Sequence, residues 1–445
     1  MLHRQRSKWI LAAARTDLTT IAIAALVLVV AGTSLLVDPR AEAAFDAPKR
    51  LIALLGVAAA SVSILSAANF DPAREWRIRS REQQLILVLV AIAVFGAIVA
   101  ALASPRRPVS LDALRVVILY GLLLPLGASR LLDGGGVVAL VATLIVASVI
   151  NASISIFQAV GVQPLTIEKI VGRVGSVGLI GNEGYLGLLM ATAAVSSLGV
   201  ARFASSQRVR SACWVAMALM LIALALSRNV SGWIALAVGA MPLAWNREAK
   251  SGRWVQLGVI GTALGLVVIG VLLAANGRLA ALVLLARSGD WDRLLSYRLG
   301  PWAAAVEMIR EHPILGSGPG TFGPEFVRHR LQAEVYWDRR FVNPRLGSFY
   351  AQAHCDYLQG LAEFGIPAGL CAAMILVATI ASLARSLSRL PAPARDEAKV
   401  ILAILLTGAV GALAWSPFQQ PALAAPLLLA TGRGWRLLSD PGQDS

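Results

Sequence analysis

Charge is scarce in this chain. Only 15% of its 445 residues are Asp, Glu, Lys or Arg, 57% are hydrophobic, and the mean hydropathy is +0.70. Water is therefore not the main solvent for such a polypeptide, and an ordinary soluble domain is excluded. Cysteine is scarcer still: Cys213, Cys355 and Cys371 show neither a C-x-x-C nor a Cys/His spacing. A disulfide framework and a zinc site are not expected. Acidic residues are outnumbered, 25 Asp+Glu against 40 Lys+Arg, for a formal charge of +15. In a soluble chain that balance would suggest nucleic acid. Here most basic residues fall in short turns between apolar runs, where they orient helices and meet anionic head groups, so no nucleic-acid partner is expected.

What the sequence has in quantity is apolar runs of a length that crosses a bilayer core as helix. They lie near Leu18 to Val37, Leu51 to Ala68, Leu85 to Ala103, Leu111 to Gly127, Val137 to Gly161 and Tyr185 to Phe203. A second set lies near Ala212 to Ser227, Gly232 to Trp245, Val255 to Ala275, Ile366 to Leu383, Val400 to Trp415 and Pro421 to Thr431. The expected fold class is an all-α polytopic membrane protein with about 12 transmembrane helices. The basic N-terminal stretch Met1 to Arg15 leads into a run too long for a signal peptide, which is expected to stay as the first helix. Basic residues at the N-terminus and at Arg74 to Arg81, Arg202 to Arg210, Arg247 to Arg253 and Arg385 to Lys399 fall on one side, which predicts both termini in the cytoplasm.

Three regions follow: spanning helices 1–9 in residues 1–275, a large outer loop in residues 276–353, and the loop's exit helix with helices 10–12 in residues 354–445. The loop is too long for a passive turn. Gly300-Pro301 marks a helix start, and Trp302, Val306 and Ile309 form a stripe that stops before Pro313, as in an amphipathic helix on the membrane face. Gly316-Ser317-Gly318-Pro319-Gly320 is a tight turn or a phosphate cradle; no Lys-Ser/Thr pair follows it. From Leu346 to Phe364 the period is again helical, with Phe349, Tyr350, His354, Tyr357, Leu358 and Leu361 on one face and Gly365 with Pro367 closing it.

Four residues from separate parts of the chain share the outer side in this topology: Arg173, Arg228, Arg298 and His354. Arginine presents a permanently charged planar fork that suits phosphate oxygens, so two or three around one pocket would hold a diphosphate. Taken singly, an interfacial arginine more often snorkels at a helix end. Histidine can take a proton from a hydroxyl, and His354 is the candidate base, although a lone histidine on a half-apolar helix is more often a packing residue. Asp290, Asp292, Glu307, Asp356 and Glu363 offer a carboxylate alternative, but Asp290-Trp291-Asp292 sits among arginines and has the character of a solvated, ion-paired stretch. A metal-independent reaction without a cofactor is expected.

These residues carry a resemblance. Ser296-Tyr297-Arg298 leading to Trp302, then His312-Pro313 through Gly316, Gly318 and Gly320 to Phe322, then Ala353-His354 with Tyr357-Leu358 to Glu363 and Gly365, resembles the O-antigen ligase and polymerase superfamily. Arg173 through Gly181-Asn182 resembles the family's Arg-containing motif, and Leu226-Ser227-Arg228 its Ser-Arg motif. This chain has Cys355 where the family usually has Asn after the His, and Asn182-Glu183-Gly184 where it usually has Asn-Pro-Asn. The resemblance implies a GT-C-like fold and a polyprenyl diphosphate-linked glycan as donor. Arg173, Arg228 and Arg298 would hold the diphosphate and His354 would deprotonate or orient the acceptor hydroxyl. Asn182, Trp302, Asp356, Tyr357 and Glu363 would be supporting residues. The acceptor would be lipid A-core for a ligase, the reading favoured by the position of the single large loop, or a lipid-linked repeat for a polymerase. A protein acceptor and a secondary transporter are the more distant alternatives.

Overall fold

The computed structural model describes residues 2–41, 43–66, 80–163, 176–244, 278–341 and 349–438, and no strand occurs among them. The first nine helices are α1 (Leu2–Leu35), α2 (Ala47–Leu65), α3 (Arg81–Ala103), α4 (Arg107–Gly121), α5 (Leu123–Ala128), α6 (Gly135–Ala159), α7 (Glu183–Phe203), α8 (Gln207–Leu226) and α9 (Val230–Ala244). Four shorter helices follow: α10 (Arg278–Arg287), α11 (Trp291–Leu294), α12 (Leu299–Glu311) and α13 (Phe322–Tyr336). The last three are α14 (Asp356–Ser386), α15 (Ala392–Gly411) and α16 (Pro421–Leu437).

Local chemistry explains several starts. Ser80 and Gln83 form a reciprocal capping box on α3, and the Asn182 side chain caps α7 by accepting from the Gly184 and Tyr185 amides at 2.9 and 3.2 Å. Small residues let α16 approach α5 closely: a Cβ at Gly432 would lie 2.0 Å from the Leu124 carbonyl oxygen.

Eight described helical segments are long and apolar enough to cross a membrane: Leu18–Leu35, Ala47–Leu65, Arg81–Ala103, Arg107–Ala128, Gly135–Ala159, Glu183–Phe203, Gln207–Leu226 and Asp356–Ser386. The expected count of about twelve is not reached among the described residues. The run near Val255 to Ala275 lies outside them, and Val230–Ala244 is apolar but short, with Pro242 inside. Helices α15 and α16 stand where expected. However, α15 opens with Arg395, Asp396, Glu397 and Lys399, and the 17 residues of α16 include Arg433 and Arg436, so neither offers a long uncharged stretch.

Side-chain contacts sort the helix termini into two ends. At one end, buried Arg433 pairs with Asp133 and Glu397, Arg436 with Asp133, and the Gln83 amide donates to the Trp435 carbonyl. At the other end meet the α3–α4 turn, the start of α7, the α8–α9 turn, helices α12 and α13, the start of α14 and the α15–α16 turn. Arg228, Arg298 and His354 all belong to this second end.

Helices α12 and α13 share a small core with the segment that leads into α14: Ala304, Ala305, Met308, Phe322, Phe326, Tyr350, Ala353 and Ala362. The buried face of α12 is therefore the small-residue side, Ala303 to Ala305 with Met308, while Trp302, Val306 and Ile309 are only half-buried. Alanines let α12 come close to α13, and Ile309 of the expected stripe packs at the edge of this core. An ion-pair chain then ties this layer to the α3–α4 turn: Arg106 to Glu325 at 2.6 Å, Glu325 to Arg328 at 3.0 Å and Arg328 to Glu311 at 3.0 Å. His329 is completely buried there, its ring nitrogens 2.9 Å from the Glu325 carbonyl and 3.1 Å from Glu311.

One sequence expectation is corrected outright. The helix expected over Leu346 to Phe364 begins only at Asp356, and residues 349–355 are irregular. His354 has φ 53°, which ends any helix through it, so it does not share a helical face with Phe349 and Tyr357. Gly365 does interrupt the helix as expected: at φ 78° it breaks α14 in two, with Pro367 opening the second part.

Candidate functional site

Left-handed backbone marks the site before any side chain is considered. Five described non-glycine residues have positive φ, and four of them are Arg228 (53°), Ser296 (55°), Tyr297 (61°) and His354 (53°). Each costs on the order of 1–3 kcal/mol, a strain that persists where surrounding structure over-determines it. Two of the four are themselves candidate residues, and the other two immediately precede Arg298.

Each strained residue is locked by partners. The Tyr297 amide donates to the Asp292 carbonyl at 2.6 Å, and the Tyr350 hydroxyl donates to the Tyr297 carbonyl at 3.1 Å. This turn delivers Arg298 to the start of α12. Arg228 sits exposed between α8 and α9, where Asn229 donates to the Gly184 carbonyl at 2.6 Å and joins the turn to the start of α7. His354 follows Gln352, whose side chain accepts from the Tyr185 hydroxyl, and Ala353, whose amide donates to the Gln359 side chain at 2.9 Å.

Arg298 and His354 then meet around one indole. The Arg298 guanidinium lies over the Trp415 ring at 4.9 Å from its centroid, and His354 meets that ring edge-on at 5.3 Å. Tyr350 meets His354 edge-on from another side at 5.7 Å. The His354 Nδ1 is buried without a hydrogen-bond partner. Burial, aided by the Arg298 charge, pushes the imidazole down to about 4, so at neutral pH it is an uncharged acceptor. Burial also lowers the Arg298 guanidinium from its usual value, although arginine stays cationic.

The supporting residues named from sequence are placed as follows. Asp356 accepts from the Phe418 amide at 2.9 Å and from Gln419 at 3.0 Å, pinning α14 to the α15–α16 turn. The Tyr357 hydroxyl donates to the Ala409 carbonyl at 2.9 Å. Glu363 accepts from the Gly320 and Phe322 amides at 3.0 and 3.1 Å and from Gln359 at 3.0 Å. Trp302 is half-buried, its indole N–H buried without a partner, and Asn182 is the α7 cap. Arg173 lies outside the described residues.

Glu363 also decides what the glycine turn does. Its carboxylate occupies the start of α13, where an anion would otherwise sit, while the Ser317 and Gly318 amides donate to the Ala362 and Glu363 carbonyls. The turn is a clasp on α14, not a phosphate cradle. Glu363→Gln places an amide donor against a backbone donor, with an expected cost of about 1–3 kcal/mol. It is checked as a fall in apparent melting temperature of the detergent-purified protein, and an unchanged melting temperature would contradict the clasp.

Of the carboxylate alternatives, Asp290 is ion-paired with Arg293 at 3.3 Å as expected, while Asp292 is half-buried with one oxygen unpartnered and its pKa raised by burial. No three His, Cys, Asp or Glu side chains converge to hold a metal among the described residues. Sequence reasoning missed Trp415, Tyr185 and Gln352. Trp415 falls in a turn without charge, and nothing in its spacing links it to residues so distant in the chain.

Multiple long apolar helices, with a strained, arginine- and histidine-bearing site at one end of the bundle, define an all-helical multi-pass membrane protein with a polar site outside its apolar core. Residues 215–373 match the family model of the O-antigen ligases, and this domain supports the O-antigen ligase and polymerase superfamily. The matched segment contains Arg228, Arg298 and His354; Trp415 lies beyond it. No curated protein sequence matches the chain.

Proposed function

We propose that the protein is a ligase that transfers a glycan from a polyprenyl diphosphate carrier to lipid A-core on the periplasmic face of the bacterial inner membrane. The observation that carries this reading is the pairing of a fixed guanidinium, Arg298, with an unpartnered imidazole nitrogen, His354 Nδ1, around Trp415. Diphosphate oxygens need a permanent cation, and an attacking hydroxyl needs a neutral acceptor for its proton.

In the step, the acceptor hydroxyl oxygen bonds to the anomeric carbon of the donor glycan. The bond from that carbon to the diphosphate oxygen breaks, and its electron pair leaves on the diphosphate. His354 takes the hydroxyl proton. Arg298 and Arg228, with Arg173 as the third cation, hold the departing charge, so leaving-group stabilisation comes from side chains. The two termini face the cytoplasm in this topology.

The test is size and linkage analysis of surface and carrier-linked glycans in a deletion strain complemented with wild-type protein or His354→Ala. Full-length glycan accumulating on the carrier with bare lipid A-core supports the ligase. Long chains collapsing to single repeats on their normal anchor would assign a polymerase instead, and no change in any glycan would overturn the transferase reading.

A further inference from the structure

Trp415 contacts Arg298, His354 and the first turns of α7 and α9. Its ring carries Arg298 at 4.9 Å and meets His354 edge-on at 5.3 Å and Tyr185 edge-on at 5.2 Å. Its indole N–H donates to the Ser231 hydroxyl at 2.9 Å; Ser231 donates to the Asn229 side-chain oxygen at 2.6 Å, beside Arg228. Its own turn is tied to the start of α14, because the Ala412 carbonyl accepts from the Asp356 amide at 2.9 Å.

The ring has no room to move on the α7 side. A Cβ on Gly184 would lie 1.9 Å from an indole carbon. Glycine at this position is what admits the indole. A tryptophan held by a hydrogen bond, two edge-on rings and a glycine-sized gap is a rigid platform, and cations settle on such faces.

We infer that Trp415 is a positioning residue that sets Arg298 and His354 in one geometry relative to each other, so that the leaving diphosphate and the attacking hydroxyl are engaged together. This rests on the transferase reading above. Trp415 acts through Arg298 and His354 and need not touch the substrate.

The test is a double-variant cycle on purified protein in lipid nanodiscs, with lipid-linked glycan extracted from the source cells as donor, lipid A-core as acceptor, and acceptor-dependent release of polyprenyl diphosphate as readout. Trp415→Leu is expected to lower kcat/KM about 10- to 30-fold, the range a desolvated cation–ring contact supports. Trp415→Phe keeps a ring face and is expected to lose no more than about threefold. Because Trp415 works through Arg298, the Trp415→Leu, Arg298→Lys double variant is expected to be within about threefold of the worse single one. Gly184→Ala, which pushes the ring aside without removing it, provides the same readout should Trp415→Leu fail to fold. Wild-type kcat/KM in both Trp415→Leu and Gly184→Ala, additive losses in the cycle, or a Phe variant as poor as the Leu variant would overturn the inference. Full activity of Arg298→Lys would overturn the diphosphate reading together with it.

Discussion

His354→Ala lowers transfer by about 100- to 10,000-fold, the range expected when a general base is removed. The substitution leaves the Gln359 and Asp356 contacts that shape the loop, so protein yield is expected to hold. His354→Gln separates base from positioning residue: it retains an acceptor but takes no proton, and it should be nearly as poor as Ala. The pH profile supplies the sign. A base must be unprotonated, so activity falls as pH drops through its pKa. In the free enzyme the imidazole lies at about 4, and the acid limb of kcat/KM is expected there. Bound diphosphate offsets the Arg298 charge and favours the imidazolium, so the limb of kcat moves to higher pH. A profile without an acid limb would leave His354 as a positioning group.

Arg298→Lys is expected to lower kcat/KM by about 10- to 100-fold, since an ammonium point charge reproduces neither the two-pronged phosphate contact nor the stacked plane. Arg228→Lys should also damage activity, but less. Arg298 is half-buried against Trp415 and its charge is poorly screened, whereas Arg228 is exposed. Both variants are compared by release of polyprenyl diphosphate at fixed ionic strength. Equal losses would place the two arginines in equivalent roles, and wild-type rates in both would remove the clamp.

Much of the architecture was legible in the sequence because it depends on local properties. Long apolar runs specify helices wherever they occur, so the expected segment at Tyr185 corresponds to α7 within two residues, while α8 starts five residues before Ala212 and α16 runs six beyond Thr431. Gly300-Pro301 and Gly365-Pro367 likewise act through their own backbone restrictions. The candidate site residues were visible as residue types, arginines that suit phosphate and a histidine that suits a proton, and as a family resemblance. What misled was periodicity at Leu346 to Phe364: apolar spacing there suits a helix, but tertiary contacts hold His354 at positive φ.

Sequence by itself thus determined that the chain is a helical membrane protein with cationic and imidazole chemistry to place. Only the tertiary structure decided that Asp356, Tyr357 and Glu363 bond to the scaffold, that the glycine turn is a clasp, and that Trp415 contacts Arg298 and His354. The reason is range. Helix formation is written in neighbours three and four positions apart, whereas the bonds from Tyr185 to Gln352 and from Trp415 to Ser231 join residues 167 and 184 positions apart. Such pairs leave no period in the sequence, and they exist only once separate helices have packed.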